Sequence, residues 1–130
     1  MSMTIHQSYK THGEIFDFKK LQPGWCPHGD GISFSDRIIS IALKLNFAAI
    51  ENKLFETKAF PGCDGEIEFV IYCKNHWFEF MIENDGVIEF SHEYDSKEIE
   101  SENISMSMEE ALEKIKEIQF SIDKCREKKQ

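Results

Sequence analysis

Apolar and polar residues alternate with period two over residues 66 to 94, in three runs of eight: EIEFVIYC, HWFEFMIE and VIEFSHEY. Successive side chains of a strand point to opposite faces. Ile67, Phe69, Ile71 and Cys73 therefore share one side of the first run. Phe78, Phe80 and Ile82 do so in the second, and Ile88, Phe90 and Tyr94 in the third. A two-residue turn at Lys74-Asn75 sets Ile71 opposite Phe78, Phe69 opposite Phe80 and Ile67 opposite Ile82. A three-residue turn at Asn84-Asp85-Gly86 sets Ile82 opposite Ile88 and Phe80 opposite Phe90, with Gly86 suited to the left-handed position. Both turns keep the aromatic residues on one face, and a slip of one residue would turn them all outward. The pattern predicts a three-stranded antiparallel meander.

Period 3.6 takes over on both sides of it. Ile38, Ile41, Ala42, Leu45 and Ala49 fall on one helical face, widened by Ile39 and Leu43. Ser33 is the expected N-cap, with Asp36 three residues on, and the helix should fade between Asn46 and Asn52. Met108, Ala111, Ile115, Ile118, Ile122 and Cys125 form the seam of a second helix, which Ser107 caps with Glu110 in capping-box position. Leu54 to Phe60 reads as an edge strand ended by Pro61. Glu14 to Phe18 alternates and reads as another short edge strand. Residues 1 to 12 are polar and unpatterned, so a flexible start is expected. The loop LQPGWCPHGDGIS excludes helix and central strand, and Trp25 is expected to anchor it in the core. The run DSKEIESEN after Tyr94 reads as an acidic, flexible connection.

Together these predict one α+β domain over residues 1–130: an antiparallel meander of three to five strands packed against two helices. A length of 130 residues suffices to bury one core. The net charge of −9 argues against a nucleic-acid partner, because phosphate binding needs clustered Lys and Arg. No run is long enough for a membrane span, and MSMTIHQSYK lacks the apolar core of a signal peptide, so no membrane partner and a cytoplasmic location are expected. Four cysteines, Cys26, Cys63, Cys73 and Cys125, form no CxxC pair. In a reducing compartment the default expectation is four free thiols.

Three separated features resemble a family of small, uncharacterised bacterial proteins. They are the Gly24-Trp25 to Gly29-Asp30-Gly31 loop, the apolar helix after it, and the strand unit from Asp64-Gly65-Glu66-Ile67-Glu68-Phe69 to Ile82-Glu83-Asn84-Asp85-Gly86. The chain departs from that family where Cys26-Pro27 stands in place of an Asp-Gly pair, and where Val70 to Tyr72 carries no Trp. The resemblance implies a small α+β fold and assigns no activity or catalytic residue.

Candidate chemistry comes from the pairing register. Cys73 faces His76 across the first turn, His76 faces Tyr94, and His92 faces Phe78. A thiol and imidazoles at one end of the sheet suit a nucleophile and base, or metal ligands, and equally suit a polar margin of the core. Cys26, His28 and Asp30 form a second ligand group, for which Cys63 would have to come from afar. The glycine-rich GDGIS matches no phosphate-binding pattern, and no cofactor or metal is expected. The opposite sheet face carries Val70, Tyr72, Trp77, Met81 and Val87 among Glu66, Glu68, Glu79, Glu83, Glu89 and Glu93. Aromatics and Met rimmed by carboxylates suit a protein-binding surface, or an apolar centre under a helix. The first expectation is a non-enzymatic binding protein, an antitoxin- or immunity-like neutraliser of a basic partner. The alternatives are a small cysteine- or metal-dependent enzyme and a homo-oligomeric structural protein.

Overall fold

The computed structural model describes residues 7–95 and 97–127. Five strands, β1 (Thr57–Pro61), β2 (Ile67–Cys73), β3 (His76–Ile82), β4 (Ile88–Tyr94) and β5 (Lys97–Met106), form one antiparallel sheet in sequential order. Three helices complete an α+β fold: α1 (Gln7–Asp17), α2 (Asp36–Glu51) and α3 (Met108–Glu127). No helix among the described residues is long and apolar enough to cross a membrane.

The central register is the one that the alternation predicts. Ile71 pairs with Phe78, Phe69 with Phe80, and Ile67 with Ile82. Ile82 pairs with Ile88 and Phe80 with Phe90 across the next turn. Gly86 takes φ 91°, and its N–H donates to the Glu83 carbonyl while the Glu83 N–H donates to Val87. A Cβ at Gly86 would lie 2.8 Å from the guanidinium of the exposed Arg37, which can swing aside, so it is the backbone conformation that favours glycine there.

All three helices pack on one face of this sheet. Ile15 of α1, Ile38, Ala42 and Leu45 of α2, and Ala111, Ile115 and Ile118 of α3 share one cluster with Ile67, Phe69, Phe80 and Phe90. Phe69 and Phe80 are fully buried at its centre, their ring centroids 6.2 Å apart. The opposite face contributes no residue to that cluster.

Several expectations change. The segment from Glu14 to Phe18 is not a strand: Glu14 to Asp17 belong to helix α1, and a 3-10 turn at Phe18–Lys20 follows. Five alternating residues do not distinguish the two periods, and the face that α1 buries is Ser8, Thr11 and Ile15, spaced three and four. Two of those three are polar, so hydrophobic periodicity could not reveal it. Residues 7–12, expected to be flexible, are thus helical, while 1–6 lie outside the described residues. The buried hydroxyls of Thr11 and Thr57 are satisfied by a polar layer: Thr11 Oγ1 donates to the Thr57 carbonyl (2.8 Å), Thr57 Oγ1 to Asn46 Oδ1 (2.8 Å), and Asn46 Nδ2 to the Ser8 carbonyl (2.8 Å), while the Ser8 hydroxyl is buried without a partner among the described residues. The layer ties α1, α2 and β1 together.

The cap of α2 is Ser35, not Ser33; its hydroxyl accepts from the Ile38 N–H at 3.2 Å. The α3 capping box is in place, with Glu110 N–H donating to Ser107 Oγ (3.1 Å) and Ser107 N–H to Glu110 Oε1 (3.2 Å). The side chains of Ile122 and Cys125, at the end of its seam, lie outside the described residues. The run after Tyr94 is not a loose connection: Lys97 onward is edge strand β5, paired with β4 through register shifts between Ile88 and Phe90 and between His92 and Glu93. Charged residues along an edge are how natural sheets avoid further pairing, which made this strand look like linker. Finally, Cys26 and Cys63 are joined as a disulfide, Cα atoms 6.0 Å apart, so the chain does not carry four free thiols.

Candidate functional site

The sheet face away from the helices contributes nothing to the core cluster formed by the described residues. Strand alternation puts Lys58 and Phe60 of β1, Glu68, Val70 and Tyr72 of β2, Trp77, Glu79 and Met81 of β3, and Glu89 of β4 on it. Val87 lies half-buried at the margin, next to the second turn. Tyr72 and Trp77 are register partners and stack, centroids 6.4 Å apart at 27°. Lys58 Nζ lies 5.2 Å above the Tyr72 ring, which adds a cation–π contact. Val70 is fully buried between its pairing partners Lys58 and Glu79. Around it Tyr72, Trp77 and Met81 are half-buried.

Its carboxylates are crowded. Glu68 and Glu79 stand diagonally across β2 and β3 and share a hydrogen bond. Burial first, then that hydrogen bond, then the Glu79 charge push the Glu68 carboxyl from 4.5 up to about 7. Two carboxylates in hydrogen-bond contact must hold a proton between them. Glu83 is also raised, by burial and then by the charges of Glu89, Glu66, Asp85 and Asp64. Burial, then the charge of Glu56, raises the Tyr72 phenol. At the edge of this face a hollow of about 200 Å³ is lined by Phe60, Pro61, Gly62, Glu66, Glu68, Met81 and Glu83. Phe60 is 42% exposed there. An apolar wall beside three carboxylates, two of them held up in pKa, suits a long cationic side chain. Its stem would lie on Phe60 and Met81 and its head among the glutamates.

The second candidate group does assemble at the end of the sheet, on the helix side. His76 Nδ1 and His92 Nε2 are 2.9 Å apart. The His76 ring lies tilted against Tyr94 (4.6 Å between centroids), and His92 stacks against Phe78 (4.2 Å). One imidazole donates and the other accepts, so the bond needs at least one neutral ring. Cys73, the register partner of His76, is a free thiol half-buried against the core. The register thus brings the two imidazoles and Cys73 to the same end of the sheet.

Two further features depend on parts of the fold that the sequence concealed. A groove of about 480 Å³ runs over the helix layer, lined by His12 and Phe16 of α1, Leu43 and Phe47 of α2, and Leu112 of α3 among others. Phe16 and Phe47 are each 55% exposed. His12 and Phe16 of α1 supply one wall of this groove, so it was invisible from periodicity. Cys63, which seemed remote from the Cys26 loop, is brought directly to it, within reach of Asp30. His28 is exposed in the same loop. Comparison of the chain with protein-family models, with curated proteins and with solved structures gave no match.

Proposed function

We propose that this protein is a non-enzymatic binding module whose outer sheet face accepts a basic protein, in the manner of an antitoxin- or immunity-like neutraliser. The observation that carries the reading is the acid-lined hollow of Phe60, Glu66, Glu68, Met81 and Glu83 beside the Tyr72–Trp77 stack. Like charges crowded on a partly desolvated surface carry an electrostatic cost in the free protein. A Lys or Arg from a partner relieves that cost while burying apolar area, and a rigid aromatic pair is the kind of anchor that dominates interface energetics.

Pairing of two copies through this face is disfavoured by the same charges, since glutamates would meet glutamates on a chain of net charge −9. Protonation gives the binding reading a signature. A cation entering the hollow displaces the proton held at Glu68, so affinity should rise as pH increases through about 7.

An array of peptides displaying Lys or Arg beside an aliphatic residue provides the probes. The tightest peptide is then titrated against the wild type and Glu68→Lys/Glu83→Lys. Loss of about tenfold or more in affinity is expected, with the circular dichroism spectrum unchanged. Undiminished binding to the reversed-charge variant would remove the proposal.

A further inference from the structure

We propose that Cys26, Cys63 and Asp30 form a redox-gated site for a thiophilic divalent cation of the Zn²⁺ class, closed as a disulfide and open as two thiolates and a carboxylate. It is independent of the sheet face. One sulfur from each cysteine and one carboxylate oxygen of Asp30 lie within 4.8 Å of one another. Donors around a tetrahedral Zn²⁺ sit about 2.0–2.3 Å from the ion, hence roughly 3.3–3.8 Å apart. The cysteine Cα atoms are 6.0 Å apart, so once the sulfur–sulfur bond is reduced both thiolates can reach one ion, with Asp30 beside them. Two thiolates and one carboxylate leave the fourth position for water, the donor count of an open site.

Backbone hydrogen bonds tie the donor loops together in addition to the sulfur–sulfur bond. Cys26 N–H donates to the Asp30 carbonyl (2.7 Å), and Gly29 N–H to the Cys26 carbonyl (2.9 Å), closing one tight turn between two of the donors. The third is tied to that turn from the other side: Ile32 N–H donates to the Cys63 carbonyl at 2.9 Å. Trp25 fixes the loop to the core, with Nε1 donating to the Ile32 carbonyl (3.0 Å) and its ring 5.8 Å from that of Phe34. Gly31 permits this closure: its φ is 123°, and a Cβ would lie 2.9 Å from the indole. Cys26 is buried while Asp30 is exposed, so an ion enters from the Asp30 side.

The chemistry balances in two steps. A dithiol reductant gives two electrons and two protons to the disulfide, producing two Cys thiols and becoming a disulfide itself. The divalent cation then displaces the two thiol protons and takes both thiolates as ligands.

The test uses Co²⁺, whose thiolate complexes absorb by ligand-to-metal charge transfer, on the full chain. The protein is reduced with dithiothreitol, desalted without oxygen and titrated. One equivalent of Co²⁺ should produce the charge-transfer band, and one equivalent of Zn²⁺ should bleach it. The oxidised protein should give none. Cys26→Ser and Cys63→Ser should each abolish the two-thiolate band, while Cys73→Ser and Cys125→Ser keep it. Asp30→Asn should weaken Co²⁺ binding by about tenfold or more, since even outer partners of a metal ligand reach that scale. No band in the reduced protein, a band that survives removal of Cys26 and Cys63, or equal affinity in Asp30→Asn would overturn the assignment. Far-UV circular dichroism covers loss of fold: a reduced chain that unfolds and is not restored by Co²⁺ also overturns it, whereas restoration supports it.

Discussion

Phe80 and Glu79 are neighbours in the chain and face opposite ways from the middle strand. Phe80 is fully buried between Phe69 and Phe90, so Phe80→Ala should cost about 3–5 kcal/mol by chemical denaturation. Glu79→Ala should cost less than about 1 kcal/mol, because it opens no cavity and removes a like charge from beside Glu68. Similar losses at both positions would mean the faces are misassigned. Such facing was legible because a strand has a strict period of two. Asn46 was not: a polar residue on an apolar helix reads as a position turned to solvent, yet it is fully buried between Ser8 and Thr57. Asn46→Ala strands two buried partners and should cost roughly 2–4 kcal/mol in the same measurement. Glu68 carries a pH signature. Its folded carboxyl titrates at about 7 against an ordinary 4.5, so the fold holds a proton there that the unfolded chain releases. That contribution is complete below about 4.5 and is lost as pH rises through 7. Glu68→Gln mimics the protonated form. It should be more stable than wild type at pH 8 by about 1 kcal/mol after solvent screening, the difference vanishing near pH 4. A variant less stable than wild type at pH 8 would contradict the crowding.

At the scale of elements, the three central strands, both intervening turns and the helices α2 and α3 were legible, because each couples one period to local stop and start residues. Helix α1 was not, since its buried face is two-thirds polar and its role is to close a hydrogen-bonded layer. Strand β5 was not, since an edge strand needs only backbone pairing and tolerates an acidic composition. The Cys26–Cys63 bond joins residues 37 apart in sequence, and no spacing rule pairs them. Non-reducing peptide mapping should recover the Cys26 and Cys63 peptides as one species. The bond should contribute about 4 kcal/mol by constraining the unfolded chain, so reduction lowers the denaturation midpoint while the core keeps the domain folded. Separate peptides, with all four thiols alkylated in the native protein, would contradict the pairing.

At the scale of the whole molecule, three helices crowd one side of a five-stranded sheet and leave the other side to its own residues. The composition of that side was legible from the meander register; its lack of cover was not, because it depends on where three helices dock. Cover by a helix of the same chain, one of the two expectations for this face, is not what the fold provides among the described residues. The consequence is open to a direct reading through Trp77, the larger half of the stacked pair. In a Trp25→Phe background, acrylamide quenching reports Trp77 alone, and sedimentation at the same concentrations reports association. An open binding face gives a monomer whose Trp77 fluorescence is readily quenched, and that quenching falls when a basic peptide occupies the face. A monomer in which Trp77 is shielded from acrylamide before any partner is added would contradict it.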